Sequence, residues 1–187
     1  MKKRRLIIGL FILTTIAMLS GFSMFDEGSK NDKDALVKLL GNIEQHITHK
    51  DQLNTNVSKV DVAWHLDHML KVIYKICHRL DSSDVNAYRR NINPLRTLVF
   101  TTGKLSRGKG KAPQQVLPPA DVTQEAIHAQ LGETATQLKK FESLHPNANF
   151  EHPYFGQLNK KQAMRFMRIH TEHHLAIIQD ILKNKAN

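Results

Sequence analysis

Cysteine is almost missing from this chain of 187 residues: Cys77 stands alone, which excludes an internal disulfide framework and any thiolate-rich zinc site. Aromatic residues are scarce at 6%, a poor supply of stacking surface for a nucleic-acid binder. No stretch alternates convincingly between polar and apolar residues, so half-buried strands are not expected. Acidic residues are outnumbered, Asp+Glu 17 against Lys+Arg 27, and the formal net charge is +10 with all 11 histidines neutral. What is present is ordinary for a globular protein, 41% hydrophobic and 24% charged, which excludes a wholly disordered chain, a collagen-like fibre and a multi-span membrane protein. The length allows one domain with a real core.

The excess positive charge is unevenly placed. Four units belong to Lys2, Lys3, Arg4 and Arg5, ahead of an uncharged run from Leu6 to Phe25. As a helix that run would be about 30 Å long, enough to cross a bilayer. It exceeds a usual signal h-region, and Leu19-Ser20-Gly21-Phe22-Ser23 is a poor small-x-small cleavage site. The expectation is an uncleaved signal-anchor over 1–25, a polar linker over 26–33 and a domain over 34–187. That domain would lie on the non-cytoplasmic side of a single-pass membrane protein, or be periplasmic or secreted if the segment were cleaved. No cysteine lies near the end of the run, so a lipid-modified N-terminus is excluded. Four further charges, Lys104, Arg107, Lys109 and Lys111, sit in a glycine-rich stretch from Gly103 to Pro113. Such a stretch reads as a solvated loop, or as a lid that carries positive charge to an anionic substrate or headgroup. Eight of the ten positive units are thereby located, and nucleic acid is not an expected partner.

Helical spacing recurs four times beyond the linker. Leu36, Leu40, Ile43 and Ile47 mark a helix over about 33–49, and Val62, Met69, Val72, Ile73, Ile76 and Leu80 one over 59–80. A short helix or turn around Pro94 leads to the basic loop and Pro118-Pro119. A third long helix begins near Asp121, which with Gln124 resembles a capping box, and carries Ile127, Leu131, Leu138 and Phe141. The fourth starts at Asn159-x-x-Gln162 and runs over 160–182 with Ala163, Met167, Ile177 and Ile181 inward. The predicted fold is all-α, a four-helix bundle with a long crossover between helices two and three, preceded by one N-terminal transmembrane helix.

On the fourth helix, Ile169-His-Thr-Glu-His-His-Leu175 places His170 and His174 on the inward stripe and His173 at its edge. Two imidazoles at i and i+4 can both reach one metal ion at about 2.0–2.1 Å. They can equally be core histidines bonded to neighbours, for an unpartnered imidazole in an apolar bundle is costly. Val62-Ala-Trp-His-Leu-Asp-His-Met69 offers a third donor, with His65 nearer the centre of the stripe and His68 at its edge. Periodicity alone chooses His65.

The segment Leu66-Asp67-His68-Met69, the His170-x3-His174 pair a hundred residues later, the His152-Pro-Tyr-Phe-Gly156 lead-in and the Lys-Lys-Gln-Ala-Met-Arg-Phe run before the pair together resemble the DinB/YfiT-like superfamily, in an uncharacterised branch. The resemblance spans about 34–184. It implies a four-helix bundle holding a divalent metal, zinc or nickel, through His68, His170 and His174, with His65 a fallback ligand or, with His173, a supporting partner. It further implies a metal-dependent hydrolase or thiol transferase of unknown substrate, with open positions on the metal. No general base is evident, since Glu172 and Asp67 neighbour the ligands without facing the metal. The competing reading is a membrane-presented interaction domain without catalysis. Expected partners are the membrane, a small-molecule substrate and a second copy of the chain in a homodimer. Cys77 reads as a small core residue.

Overall fold

The computed structural model describes residues 31–183. The expected anchor at 1–25 lies outside them, as does most of the linker; residues 31–33 are already helical. Among the described residues no helix is long and apolar enough to cross a membrane, and the long helices are amphipathic, with charged outer faces. To that extent, since no described helix supports either, the expected membrane helix and single-pass location are corrected. So is the all-α bundle: the described chain is mostly helical, with five helices and a two-stranded sheet.

Helix α1 (31–45) gives way to a tight turn at Ile47–His49, so the first helix is shorter than its periodicity implied. Helix α2 (Val62–Asp81) starts where the Asp61 side chain accepts from Trp64 N at 2.8 Å. Its Leu66, Met69, Leu70 and Ile73 are wholly buried, as expected of an element packed against both α4 and α5. Short α3 (Pro94–Thr102) lies in the crossover. Asn93 caps it, proline occupies its first turn, and Gly103 at φ 66 ends it in the left-handed region. Helix α4 (Gln124–Phe141) is capped by Thr123, whose Oγ1 accepts from Ala126 N at 3.1 Å, and not by Asp121, which lies two residues earlier in extended chain. Helix α5 (Lys160–Lys183) opens with the reciprocal box read from the sequence: Asn159 Oδ1 accepts from Gln162 N at 3.0 Å, and Gln162 Oε1 from Asn159 N at 3.1 Å. Arg168 on α5 reaches Asp32 on α1 at 2.6 Å, and helices α1, α2, α4 and α5 share one apolar core.

The hairpin of β1 (Asn149–His152) and β2 (Gly156–Asn159) was not expected. Four residues per strand are too few for alternation to show against background. Its register pairs Phe150 with Leu158, both buried, and it turns at Gly156, where φ is 67 and an added Cβ would meet Asn91 Nδ2 at 2.8 Å. Arg96 of α3, only 6% exposed, clamps this hairpin: Nη1 donates to Asn91 Oδ1 at 2.7 Å, to Phe155 O at 3.1 Å and to Gln157 O, and Nη2 to Asn91 O. A buried guanidinium satisfied by carbonyls leaves several buried acceptors stranded if it is removed. Arg96→Ala is therefore expected to lower stability by about 3 kcal/mol, read as a drop in the urea midpoint; an unchanged midpoint would show that the clamp carries no weight.

Candidate metal centre

Packing α2 against α5 sets His65 and His68 opposite His170 and His174. All the ring pairs within the set of His68, His170 and His174 are close, with centroids 5.1 Å, 4.9 Å and 4.5 Å apart. One donor nitrogen from each lies within 4.8 Å of the other two, an arrangement that can hold a metal ion. Nε2 of His170 and Nε2 of His174 are 3.2 Å apart. Two ligand nitrogens on a tetrahedral zinc with bonds of 2.0–2.1 Å sit about 3.3 Å apart, so the pair fits a shared ion with little rearrangement.

The hydrogen bonds around the rings fix which nitrogens are bare. His68 Nδ1 lies 2.8 Å from the Val116 carbonyl, which can only accept, so Nδ1 carries the proton and Nε2 a lone pair. Ser58 Oγ donates to Val60 O at 2.9 Å, which leaves it to accept from His65 Nε2 at 3.0 Å. Neutral His65 then presents a bare Nδ1, and it accepts from His174 Nδ1 at 2.9 Å. Nε2 of His174 is consequently bare and directed at His170. This chain from Val60 to His174 orients a ligand ring in the way that partners behind metal-bound histidines do. His170 has no such partner: its Nδ1 is buried without a hydrogen bond. The donor set of three neutral imidazoles therefore fits a divalent ion.

Burial keeps the rings uncharged. Desolvation is the largest cause in every case, and it holds His170 and His174 well below the usual histidine range, lowers His68, and brings His65 to about 4. Mutual repulsion among the histidines adds to it. His173 stands at the edge, bonded to the Leu105 backbone. Asp67 pairs with Lys71 at 2.7 Å and Glu172 with Arg168 at 2.7 Å, so both carboxylates are engaged away from the triad. Cys77 is buried, its thiol pushed up to about 12, which suits a core residue.

Two participants escaped sequence reasoning. Val116 acts through its backbone carbonyl, which no side-chain pattern can announce. His152 was noticed only as part of a lead-in. Its Nδ1 accepts from Tyr154 N and Phe155 N, each at 3.2 Å, while its ring lies flat on Phe155 at 4.5 Å and edge-on to Phe166. Two backbone donors on Nδ1 force the proton onto Nε2, and burial lowers this histidine to about 4 as well. A cavity of about 830 Å³ opens in front of the triad, with Trp64, His152, Val72, Ile76 and Phe166 on its walls and residues 105–113 across its mouth.

The model of one protein family, described as a protein of unknown function (DUF1569), matches residues 92–180, slightly under half of the chain. That family falls within the DinB/YfiT-like fold group. The matched stretch runs from just before α3 to near the end of α5 and contains His152, His170 and His174, but neither His65 nor His68. Nothing matches among curated proteins or among solved structures.

Because the folded chain holds these imidazoles less basic than the unfolded chain does, the unfolded state binds more protons below about pH 6.5. Stability is then complete above that pH and declines as pH falls toward 4, by up to about 1.4 kcal/mol per unit for each histidine held neutral. Urea unfolding in EDTA across this window is expected to show a steadily falling midpoint; a flat profile would mean that the rings protonate freely in the fold.

Proposed function

We propose that His68, His170 and His174 hold one divalent metal ion, zinc or nickel, and that the chain is a DinB/YfiT-like metalloprotein acting on a small molecule as a hydrolase or transferase. The observation that carries this reading is the 3.2 Å approach of the Nε2 atoms of His170 and His174, with His68 completing a group within 4.8 Å. Three protein ligands leave a coordination position open, and a bound ion there supplies Lewis acidity toward a carbonyl or acidifies water or a thiol. The remaining work belongs to the chain. Val116 holds His68 in the tautomer with a bare Nε2. His65 and Ser58 do the same for His174, which makes His65 a positioning residue and not a ligand. Trp64, stacked on His68 at 4.7 Å, and the apolar walls give the triad a mostly apolar surround.

A metal-free interaction domain is the second reading. It is favoured by the apolar side chains that α3 and its approach leave outside: Ile92 is 94% exposed, Leu98 60% and Leu95 48%.

Elemental analysis of the purified full chain separates the two. The metalloprotein reading expects close to one equivalent of zinc or nickel, lost in His170→Ala with His174→Ala while circular dichroism keeps its helical signal. Full metal content in that double variant would falsify it. His65→Phe is expected to keep the stoichiometry but weaken zinc affinity about 10–100-fold, measured by competition with a chromophoric chelator. Unaltered affinity would show that the contact with His174 does not orient it.

A further inference from the structure

The basic stretch between α3 and the Pro118-Pro119 stop is not a free loop. His173 of α5 bonds the Leu105 backbone, Arg107 pairs with Asp180 of α5 at 2.8 Å, and Lys111 N donates to Tyr154 Oη at 3.2 Å. Those attachments draw residues 105–111 over the mouth of the 830 Å³ cavity, whose lining they join.

The charges facing the cavity are one-sided. Lys59, Lys75, Arg79, Arg107, Lys109 and Lys111 line it, against one carboxylate, Glu151. Arg107 is paired, but Lys109 and Lys111 form no ion pair among the described residues. The other carboxylates near the triad, Asp67 and Glu172, are held by Lys71 and Arg168. Beneath this positive rim the walls are apolar, broken by one fixed donor. His152 Nε2 carries its proton because Nδ1 is taken by Tyr154 N and Phe155 N, and Nε2 has no protein partner among the described residues. A positive mouth repels cations, and a concave pocket of this size suits a small molecule better than a polymer.

We propose that this cavity binds a small organic anion with an apolar body, its body against the walls around Trp64 and Ile76 and its anionic group received by the Lys109–Lys111 rim and His152 Nε2–H. The proposal deepens the metalloprotein reading by giving its substrate class. It rests on that reading in one respect, since three neutral ligands leave a divalent ion's charge to be met by an incoming anion. The rim and His152 act without the ion.

Trp64 is the sole tryptophan and lines the cavity, so its fluorescence reports occupancy there. The full chain would be titrated with octanoate, 1-octanol and octylammonium, each in EDTA and again with zinc. Octanoate is expected to bind about tenfold more tightly than either analogue at low salt, a preference that weakens as salt screens the rim. In Lys109→Gln with Lys111→Gln, both exposed, most of the preference should disappear while 1-octanol binds as before. Equal binding of the three probes, or a preference untouched by the double substitution, overturns the proposal. A chain that takes up zinc but shows no preference overturns the anion alone. A chain that prefers octanoate in EDTA yet holds no zinc supports the anion and removes the metal.

Discussion

Five imidazoles, His65, His68, His152, His170 and His174, are set within a mostly apolar interior, and no carboxylate among the described residues accepts a hydrogen bond from any of them. Burying a protonated ring there would be costly, so each is neutral and each neutral ring must find one acceptor and one donor. That requirement reaches well beyond the rings. It explains why the crossover returns to place the Val116 carbonyl against His68, and why the chain before α2 bends so that Ser58 stands between His65 and the Val60 carbonyl. It also explains the turn after β1, where two backbone amides converge on His152. Among the described residues, the one fully buried nitrogen of these rings without a hydrogen bond is His170 Nδ1. Its ring is positioned by packing against His68, Phe166 and His174 and by the Nε2 contact with His174, so no hydrogen bond orients it from behind.

The bond directions matter as much as the bonds. A carbonyl cannot donate, so the chain of contacts starting at Val60 has one polarity, and this polarity leaves His174 with its lone pair toward His170. Reversing it would put a proton on His174 Nε2, the nitrogen that faces His170 at 3.2 Å, and leave no lone pair there for a cation. The supporting residues thus choose the tautomer that a cation needs before any cation arrives, so less reorganisation accompanies binding.

Much of this was legible in the sequence where it depended on one helix at a time. The i, i+4 spacing of His170 and His174 specifies their stacking, and Asn159 with Gln162 specifies the start of α5. What a helical wheel cannot supply is height along the axis relative to another helix. His65 and His68 are equally buried at 4% exposure, so periodicity ranks them by angle and favours His65. The structure separates them by level instead: His68 faces the edges of His170 and His174, whereas His65 backs onto the far nitrogen of His174. The hairpin was hidden because its strands are four residues long, and the cap of α4 was misplaced because Asp121 and Thr123 are both good caps and only one has the geometry. The apolar run at 6–25 was weighed by length and hydropathy and lies outside the described residues, among which no helix is long and apolar enough to cross a membrane.

The basic stretch shows how a composition signal changes meaning once its attachments are known. Glycines at 103, 108 and 110 and a run of lysines describe a solvated connection, and two of those glycines do take up left-handed backbone. Yet the stretch is tied to α5 through Arg107 and Leu105 and to the hairpin through Tyr154. These are the elements that carry the histidine pair and His152. Any motion that lifts the stretch from the cavity must break a partly exposed ion pair and two hydrogen bonds, each worth on the order of 1 kcal/mol. Opening is therefore inexpensive but coupled to the positions of His173 and Tyr154. The mouth of the cavity and its floor are adjusted by the same contacts, so a ligand that engages the lysines also bears on the histidines beneath them.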